Sequence, residues 1–294
     1  MSNPKCPGWI GRLKKNGNEV LNDPKIVAIY CWTSLSWTHV EDYRIGTEAM
    51  DLFLTRLVSG SLMDGLAQYG VNRGQFLTST VESITEPNSI TQDDLQNFLK
   101  VWISSGDLPA PVSMDDPGTL YFIFLPPGVT VTQSNGEVSG VDFAAYHDYG
   151  HYNESDLSDS NLFWVVIPWP TPVKVPPAAT DYDSLRAFFK NLVDNLTQYC
   201  GHELAEACSD RDQDGYKDAD GCEIGDVCFG TKAKYLGWKV EKYYSDAHQS
   251  CIGPPVNGQR SLRQCLKMNG MPESTSLRAI NPFATSLADI LATT

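Results

Sequence analysis

Positive charge is scarce in this sequence: 294 residues hold 22 Lys and Arg against 36 Asp and Glu, a formal net charge of −14 at pH 7. Binding a phosphate backbone draws on clustered Lys and Arg, and here the basic residues are outnumbered and scattered, which argues against nucleic acid and anionic membranes as partners. Long apolar runs are missing too. A spanning helix takes about 18 or more apolar residues, whereas the longest candidates, Leu120 to Leu125 and Leu162 to Ile167, both stop at proline. No membrane span is expected. The opening stretch, MSNPKCPGWIGRLKK, lacks the apolar segment of a secretory signal peptide, so none is legible. Walker loop, dinucleotide fingerprint, nucleophile elbow, internal repeat and low-complexity tract are all absent.

What remains is an ordinary globular composition, 41% hydrophobic and 20% charged, in a chain long enough to bury a substantial core without disulfides. Eight cysteines are present (Cys6, Cys31, Cys200, Cys208, Cys222, Cys228, Cys251, Cys265), and five of them crowd between Cys200 and Cys251. That crowding favours an oxidising setting, extracellular or at the cell surface, despite the missing signal peptide. Eight cysteines allow about 105 connectivities, and the sequence does not choose among them.

The pattern divides the chain into an irregular lead-in over 1–24, a domain over 25–268 and a tail over 269–294. KIVAIYCW (Lys25 to Trp32) reads as a buried strand. Helical spacing follows over Thr47 to Val58 and Ser61 to Tyr69. Thr91 to Ile103 is an amphipathic helix with Thr91 as its cap and Asp93 and Asp94 in its first turn. Thr119 to Leu125, Val129 to Thr132, Asp142 to His147 and Leu162 to Ile167 read as strands, several of which share a sheet. Five prolines between Pro168 and Pro177 predict an extended connector. A long helix then runs from Asp183 or Ser184 to about Cys208, followed by an acidic loop, a strand over Lys232 to Tyr244 and a small helix near Ala284 to Leu291. The expected fold class is α+β: a mixed sheet with a long helix carrying the sequence HELAE.

That helix holds the chemistry. His202 and Glu206 stand four residues apart and so project from one face, with Glu203 beside them. The layout is that of HExxH zinc enzymes with Glu as the second ligand: His202 and Glu206 would bind the metal, and Glu203 would serve as general base towards a metal-bound water. Downstream, Glu223 and Asp226 are the candidates for a third ligand. In YHDYGHY, His147 closes a strand and His151 lies beyond it, and either could reach a metal or act as acid or base. Against this stands the plain alternative that His, Glu and Ala are common on helices.

The loop after the helix admits a second metal reading. Asp210, Asp212, Asp214, Asp218 and Asp220 surround Gly215 in a D-x-D-x-D-G-x-x-D-x-D pattern, which offers hard oxygen ligands at alternate positions and suits calcium. Position twelve is Gly221 instead of Glu, so the loop departs from an EF-hand and is closer to the calcium loops of thrombospondin-type repeats. A solvated acidic loop is the competing reading.

Five segments carry a family resemblance: AAYH (Ala144 to His147), VVIPWP (Val165 to Pro170), GHELAEACSD (Gly201 to Asp210), EIGDVC (Glu223 to Cys228) and LGWKVEKYYSDAHQSC (Leu236 to Cys251). In this order they resemble a little-characterised group of bacterial and fungal proteins with HELAEA and E-I-x-D-x-C motifs, and more distantly the plant phosphate-induced, or exordium, family. The resemblance implies a single zincin-like domain and secretion. It marks His147, His202, Glu203, Glu206, Glu223 and Asp226 as site residues and implies that Cys228 pairs with Cys251. Arg211 stands where the group has proline, and the acidic loop is expanded.

The function expected from these features is metal-dependent hydrolysis, a zincin-type peptidase using zinc and acting on a peptide or cell-surface substrate. The alternative is a non-enzymatic secreted protein that binds carbohydrate or a cell-wall component, with the metal in a structural role and aromatics such as Trp238, Tyr243 and Tyr244 as its contact surface if exposed, although aromatics at this spacing are more often core.

Overall fold

The computed structural model describes Cys6 and residues 13–15, 20–32, 40–84, 88–111, 118–152, 162–169 and 182–254. The proline connector beyond Trp169, Cys265 and the segment Ala284 to Leu291 lie outside these. In chain order the elements are β1 (Lys14–Lys15), β2 (Lys25–Trp32), α1 (Val40–Ser59), a 3-10 helix (Met63–Tyr69), β3 (Gln75–Ser83), β4 (Ser89–Thr91), α2 (Gln92–Ser105), β5 (Thr119–Leu125), β6 (Thr130–Thr132), β7 (Tyr146–Gly150), β8 (Leu162–Pro168), α3 (Tyr182–Ser209), β9 (Tyr216–Lys217), a 3-10 turn (Asp226–Cys228), β10 (Lys232–Tyr235), β11 (Trp238–Glu241), β12 (Tyr243–Ser245) and β13 (Ser250–Ile252).

A five-stranded mixed sheet, in the order β3-β2-β5-β8-β7, forms the centre. β2, β3, β5 and β8 run parallel, and β7 is an antiparallel edge. β5 and β8 read as unbroken apolar runs because both of their faces are covered, as parallel strands require. Alternation along them sorts the core into two layers. Ile26, Phe122 and Val165 face α1, α3 and the C-terminal strands, whereas Ile29, Ile123 and Val166 face α2. Helices therefore lie on both sides of the sheet, and α3 shares its layer with β11.

Local chemistry explains the boundaries. Thr91 Oγ1 accepts from Asp94 N at 3.1 Å while the Asp94 carboxylate accepts from Thr91 N at 2.8 Å, a reciprocal cap that starts α2 where the sequence predicts it. Gly106, with φ of 86°, ends it in the left-handed conformation.

Four local expectations change. Lys14 and Lys15, in the lead-in, pair antiparallel with Lys217 and Tyr216. The strand expected over Asp142 to His147 begins only at Tyr146, because Asp142 accepts from Val138 N at 2.9 Å and holds the preceding residues in a turn. The segment Lys232 to Tyr244 forms three short strands, β10 to β12, since Leu236 and Gly237 adopt φ of 52° and 100° and reverse the chain. Trp238, Tyr243 and Tyr244 are buried instead of exposed, at 1%, 2% and 5% of their surface, because they pack on α1, the 3-10 helix and α3. The contact surface imagined for a binding protein is thus part of the core.

Candidate metal centre

α3 buries one stripe, Leu196, Cys200, Leu204, Ala207 and Cys208, against the sheet and β11. With that stripe fixed, the helical period turns His202, Glu203 and Glu206 towards the gap between α3, the edge strand β7 and the loop after the helix. β11 packs against the helix at Gly201, where a Cβ would meet Val240 Cβ at an ordinary contact distance of 3.4 Å. Thr197 Oγ1 donates to Lys239 O at 2.7 Å and ties the two elements in register, which puts Glu241 alongside His202.

Three elements deliver the opposing side chains. On β7 the alternation sends Tyr146 and Asp148 towards α2 and His147 towards α3, where His147 Nδ1 lies 3.3 Å from Glu203 Oε2 and 4.0 Å from Glu206 Oε2. The loop 223–228 brings Glu223 Oε1 to 3.9 Å from His147 Nε2 and Asp226 Oδ1 to 3.9 Å from His202 Nε2. Its backbone closes on the helix, Asp226 N donating to Glu206 Oε1 at 2.9 Å. His202 itself lies between two carboxylates, with Nε2 at 3.1 Å from Glu206 Oε2 and Nδ1 at 3.3 Å from Glu241 Oε2. All six residues expected at the site, His147, His202, Glu203, Glu206, Glu223 and Asp226, are therefore brought together.

Two sets of donor atoms lie within 4.8 Å of one another, close enough to share an ion: His147, Glu206 and Glu223, and His202, Glu203 and Glu206. Glu206 belongs to both. Glu203 and Glu206 are 4% and 3% exposed, so the carboxylates converge in a region with little water to screen them. The titration behaviour reflects this crowding. Burial works against a charged His147, but Glu223, Glu203 and Glu206 outweigh it and push its pKa up to about 10. His202 is likewise opposed by burial yet held well above its ordinary value by Glu206, Glu241 and Glu203. Glu223 is raised well above the usual carboxylate range by burial and by Glu206 and Asp210, against the pull of His147. His147 Nε2, buried, makes no hydrogen bond and points at Glu223. A ring nitrogen and carboxylates aimed at one another in this way fit a divalent ion, which takes imidazole and carboxylate ligands together.

Sequence reasoning missed two participants. Glu241, 1% exposed, accepts from Gly230 N and Gln198 Nε2 as well as facing His202. No local signal marks it, since it closes a short strand, WKVE, that already carries Lys239. Lys217 Nζ lies 2.9 Å from Asp210 Oδ2 and 3.2 Å from Glu223 Oε1 and is the cation that anchors the rim.

The acidic loop makes several internal contacts. Asp210 is fully buried and accepts from Gly215 N, and its carboxyl is held below the usual range by Glu223 and Lys217 in spite of burial. Asp218 Oδ1 accepts from Asp220 N and Cys222 N at 2.8 Å each. Asp212 Oδ2 lies 3.6 Å from Arg211. Among the described residues, the two groups of donors close enough to share an ion include none of the five loop aspartates. His151, the other histidine of the YHDYGHY stretch, also falls outside both groups.

Two disulfides brace this region, Cys228–Cys251, the pair the resemblance implies, and Cys6–Cys222. Cys31, Cys200 and Cys208 are buried thiols. No helix among the described residues is long and apolar enough to cross a membrane. No protein-family model matches the chain, and no curated protein matches it either.

Proposed function

We propose that this chain is a metal-dependent hydrolase, a zincin-type peptidase that works outside the cell, and that it belongs with the HELAEA group its motifs resemble. The observation that carries the reading is the convergence of two imidazoles and four carboxylates from α3, β7 and the loop 223–228, with a buried ring nitrogen, His147 Nε2, left without a hydrogen bond. His202 and Glu206 would hold zinc, with Glu223 or Asp226 completing the set. A bound ion would supply Lewis acidity towards a carbonyl and a water. Glu203 is placed to hold a proton and return it to the leaving amine, and His147, in contact with Glu203 Oε2 at 3.3 Å, orients this carboxylate. Glu241 fixes the His202 ring from its far side, the arrangement in which a carboxylate sets the tautomer of a liganding histidine.

A peptide substrate is favoured by the placement of β7. The edge of a sheet presents main-chain N–H and C=O groups to an added strand, and β7 is such an edge, one residue of which already faces the centre. Paired cysteines suit an oxidising compartment. The test combines elemental analysis of the purified chain with peptidase assays of wild type and Glu203→Gln. The expected result is bound zinc in both and turnover only in the wild type. A chain that takes up no transition metal, or a Glu203→Gln variant as active as the wild type, overturns the proposal.

A further inference from the structure

We infer that this centre takes two divalent cations, with Glu206 shared between them. The inference rests on the metal-binding reading above and goes beyond it in stoichiometry, since a single zincin ion would need only one of the two donor sets. Geometry is the first support. His147 with Glu223 forms one side and His202 with Asp226 the other, and Glu206 is common to both donor groups found among the described residues, its Oε2 lying 3.1 Å from His202 Nε2 and 4.0 Å from His147 Nδ1, while Glu203 keeps its role as base. A carboxylate placed between two imidazoles in this way is suited to bridging, and two-ion sites hold their metals about 3.5 to 4 Å apart.

Charge is the second support. Glu203, Glu206, Glu223, Asp226, Glu241 and Asp210 surround the centre, and Lys217 is the cation paired with them. With the rings neutral and all six carboxylates ionised, the states in which these groups bind metal, five negative charges remain after Lys217 is counted. One divalent ion leaves three and two leave one, so only the second ion brings a largely buried site near neutrality. The helix adds to this demand. Glu206 sits in the last turn of α3, which carries no basic residue, where the helix dipole disfavours a carboxylate unless a cation stands nearby. The third support is the buried His147 Nε2, which has no hydrogen bond and points at Glu223, outside the set that contains His202.

The experiment loads the full chain, disulfides intact, with manganese(II), removes free ion by gel filtration, and reads bound metal by elemental analysis and electron paramagnetic resonance. Two ions per chain with an exchange-coupled signal are expected. His147→Ala should retain one ion and lose the coupling, while the Asp212→Asn, Asp214→Asn double variant should keep both. One ion per chain in the wild type overturns this inference and leaves the single-ion hydrolase intact, whereas none overturns both. Two uncoupled ions, or loss of one in the loop variant, would assign the second ion to the acidic loop and refute the shared centre.

Discussion

Gly225 is where the candidate site can be tested most sharply by adding a single methyl group. Its backbone lies in the right-handed helical region, φ −77° and ψ −45°, so any residue tolerates its conformation. Its surroundings do not. A Cβ there would stand 2.7 Å from Glu206 Oε1 and 2.9 Å from His202 Nδ1, on the two side chains that carry the proposed metal. Comfortable contacts begin near 3.5 Å, so those groups must retreat by about 0.7 Å. Ligand placement tolerates roughly 0.5 Å. Glu206 is held by the amide of Asp226, and the His202 ring is confined between Glu206 and Glu241 at 3.1 and 3.3 Å, so neither has open space to retreat into. Gly225→Ala should therefore lose at least about tenfold in metal affinity, or about 1.4 kcal/mol. Overpacking of about 1 to 3 kcal/mol, offset by about 0.4 to 1 kcal/mol from the stiffer unfolded chain, lowers the melting temperature by several degrees. Gly201→Ala is the matched control. The same methyl there meets Val240 at 3.4 Å, and helical alanine is favoured over glycine by about 0.5 to 1 kcal/mol, so stability should hold or rise with affinity unchanged. Chelator competition and thermal melts of both variants read the two quantities. Equal behaviour of the pair, or unaltered metal affinity in Gly225→Ala, would refute the placement of Glu206 and His202 as ligands.

Glu241→Gln keeps an acceptor for Gly230 N but removes the charge facing His202 Nδ1, and should weaken metal binding by about 10- to 100-fold with little change in fold, as read by chelator competition and circular dichroism. After metal is stripped by a chelator, His202 is held protonated well above its ordinary value and His147 holds its proton up to about pH 10, so an ion that takes either ring nitrogen must displace a proton. Affinity should rise about tenfold per pH unit for each proton displaced between pH 6 and 8, and calorimetry in buffers of different ionisation enthalpy should count them; pH-independent binding would contradict the histidine assignment. The same raised pKa means that the His147 ion pairs stabilise the stripped protein fully below pH 6.5 and fade as pH climbs towards 10. Thr91→Ala removes the reciprocal cap of α2 and should cost about 1 kcal/mol in chemical denaturation.

How much of this was legible in the sequence depended on how local each cause is. β2, β5 and β8 announce themselves because a strand covered on both faces is apolar throughout, and α2 because its cap and its stripe lie within a few turns of each other. β3 escaped notice: QFLTSTVES is polar and half exposed and becomes a strand by pairing along β2, a partner more than 40 residues away. The aromatics of β11 and β12 read both ways, as a contact surface or as core, and the structure makes them core. Spacing alone does not reveal that α1 and α3 cover them. At the site, HELAE was readable since the i, i+4 geometry is intrinsic to a helix, and His147 since a strand places it on one face. Glu241 was not, because its partner His202 arrives from an element tens of residues distant in sequence, and Lys217 was not, because the loop that folds Asp210 and Glu223 onto it has no periodic pattern to read.

The loop 223–228 shows how those distant pieces become a rigid site. Glu223 and Asp226 flank Ile224, whose side chain is fully buried in the α3 layer, so the apolar residue between the two carboxylates acts as their anchor. Tyr244 N donates to Ile224 O at 2.8 Å and Asp226 N to Glu206 at 2.9 Å, which secures the backbone at both positions. Cys228 ties the end of the loop to Cys251 on β13, closing a span of 23 residues that contains β10, β11 and β12. A link of that length removes about 3 kcal/mol of freedom from the unfolded chain on the entropic view. Glu241 lies inside the span, so one covalent closure governs the position of Glu241 together with the loop that carries Glu223 and Asp226. Carboxylates crowded this tightly repel one another, and a flexible loop would let them drift apart. By fixing the loop through an apolar anchor, main-chain hydrogen bonds and a disulfide, the fold keeps that repulsion concentrated where a cation relieves it.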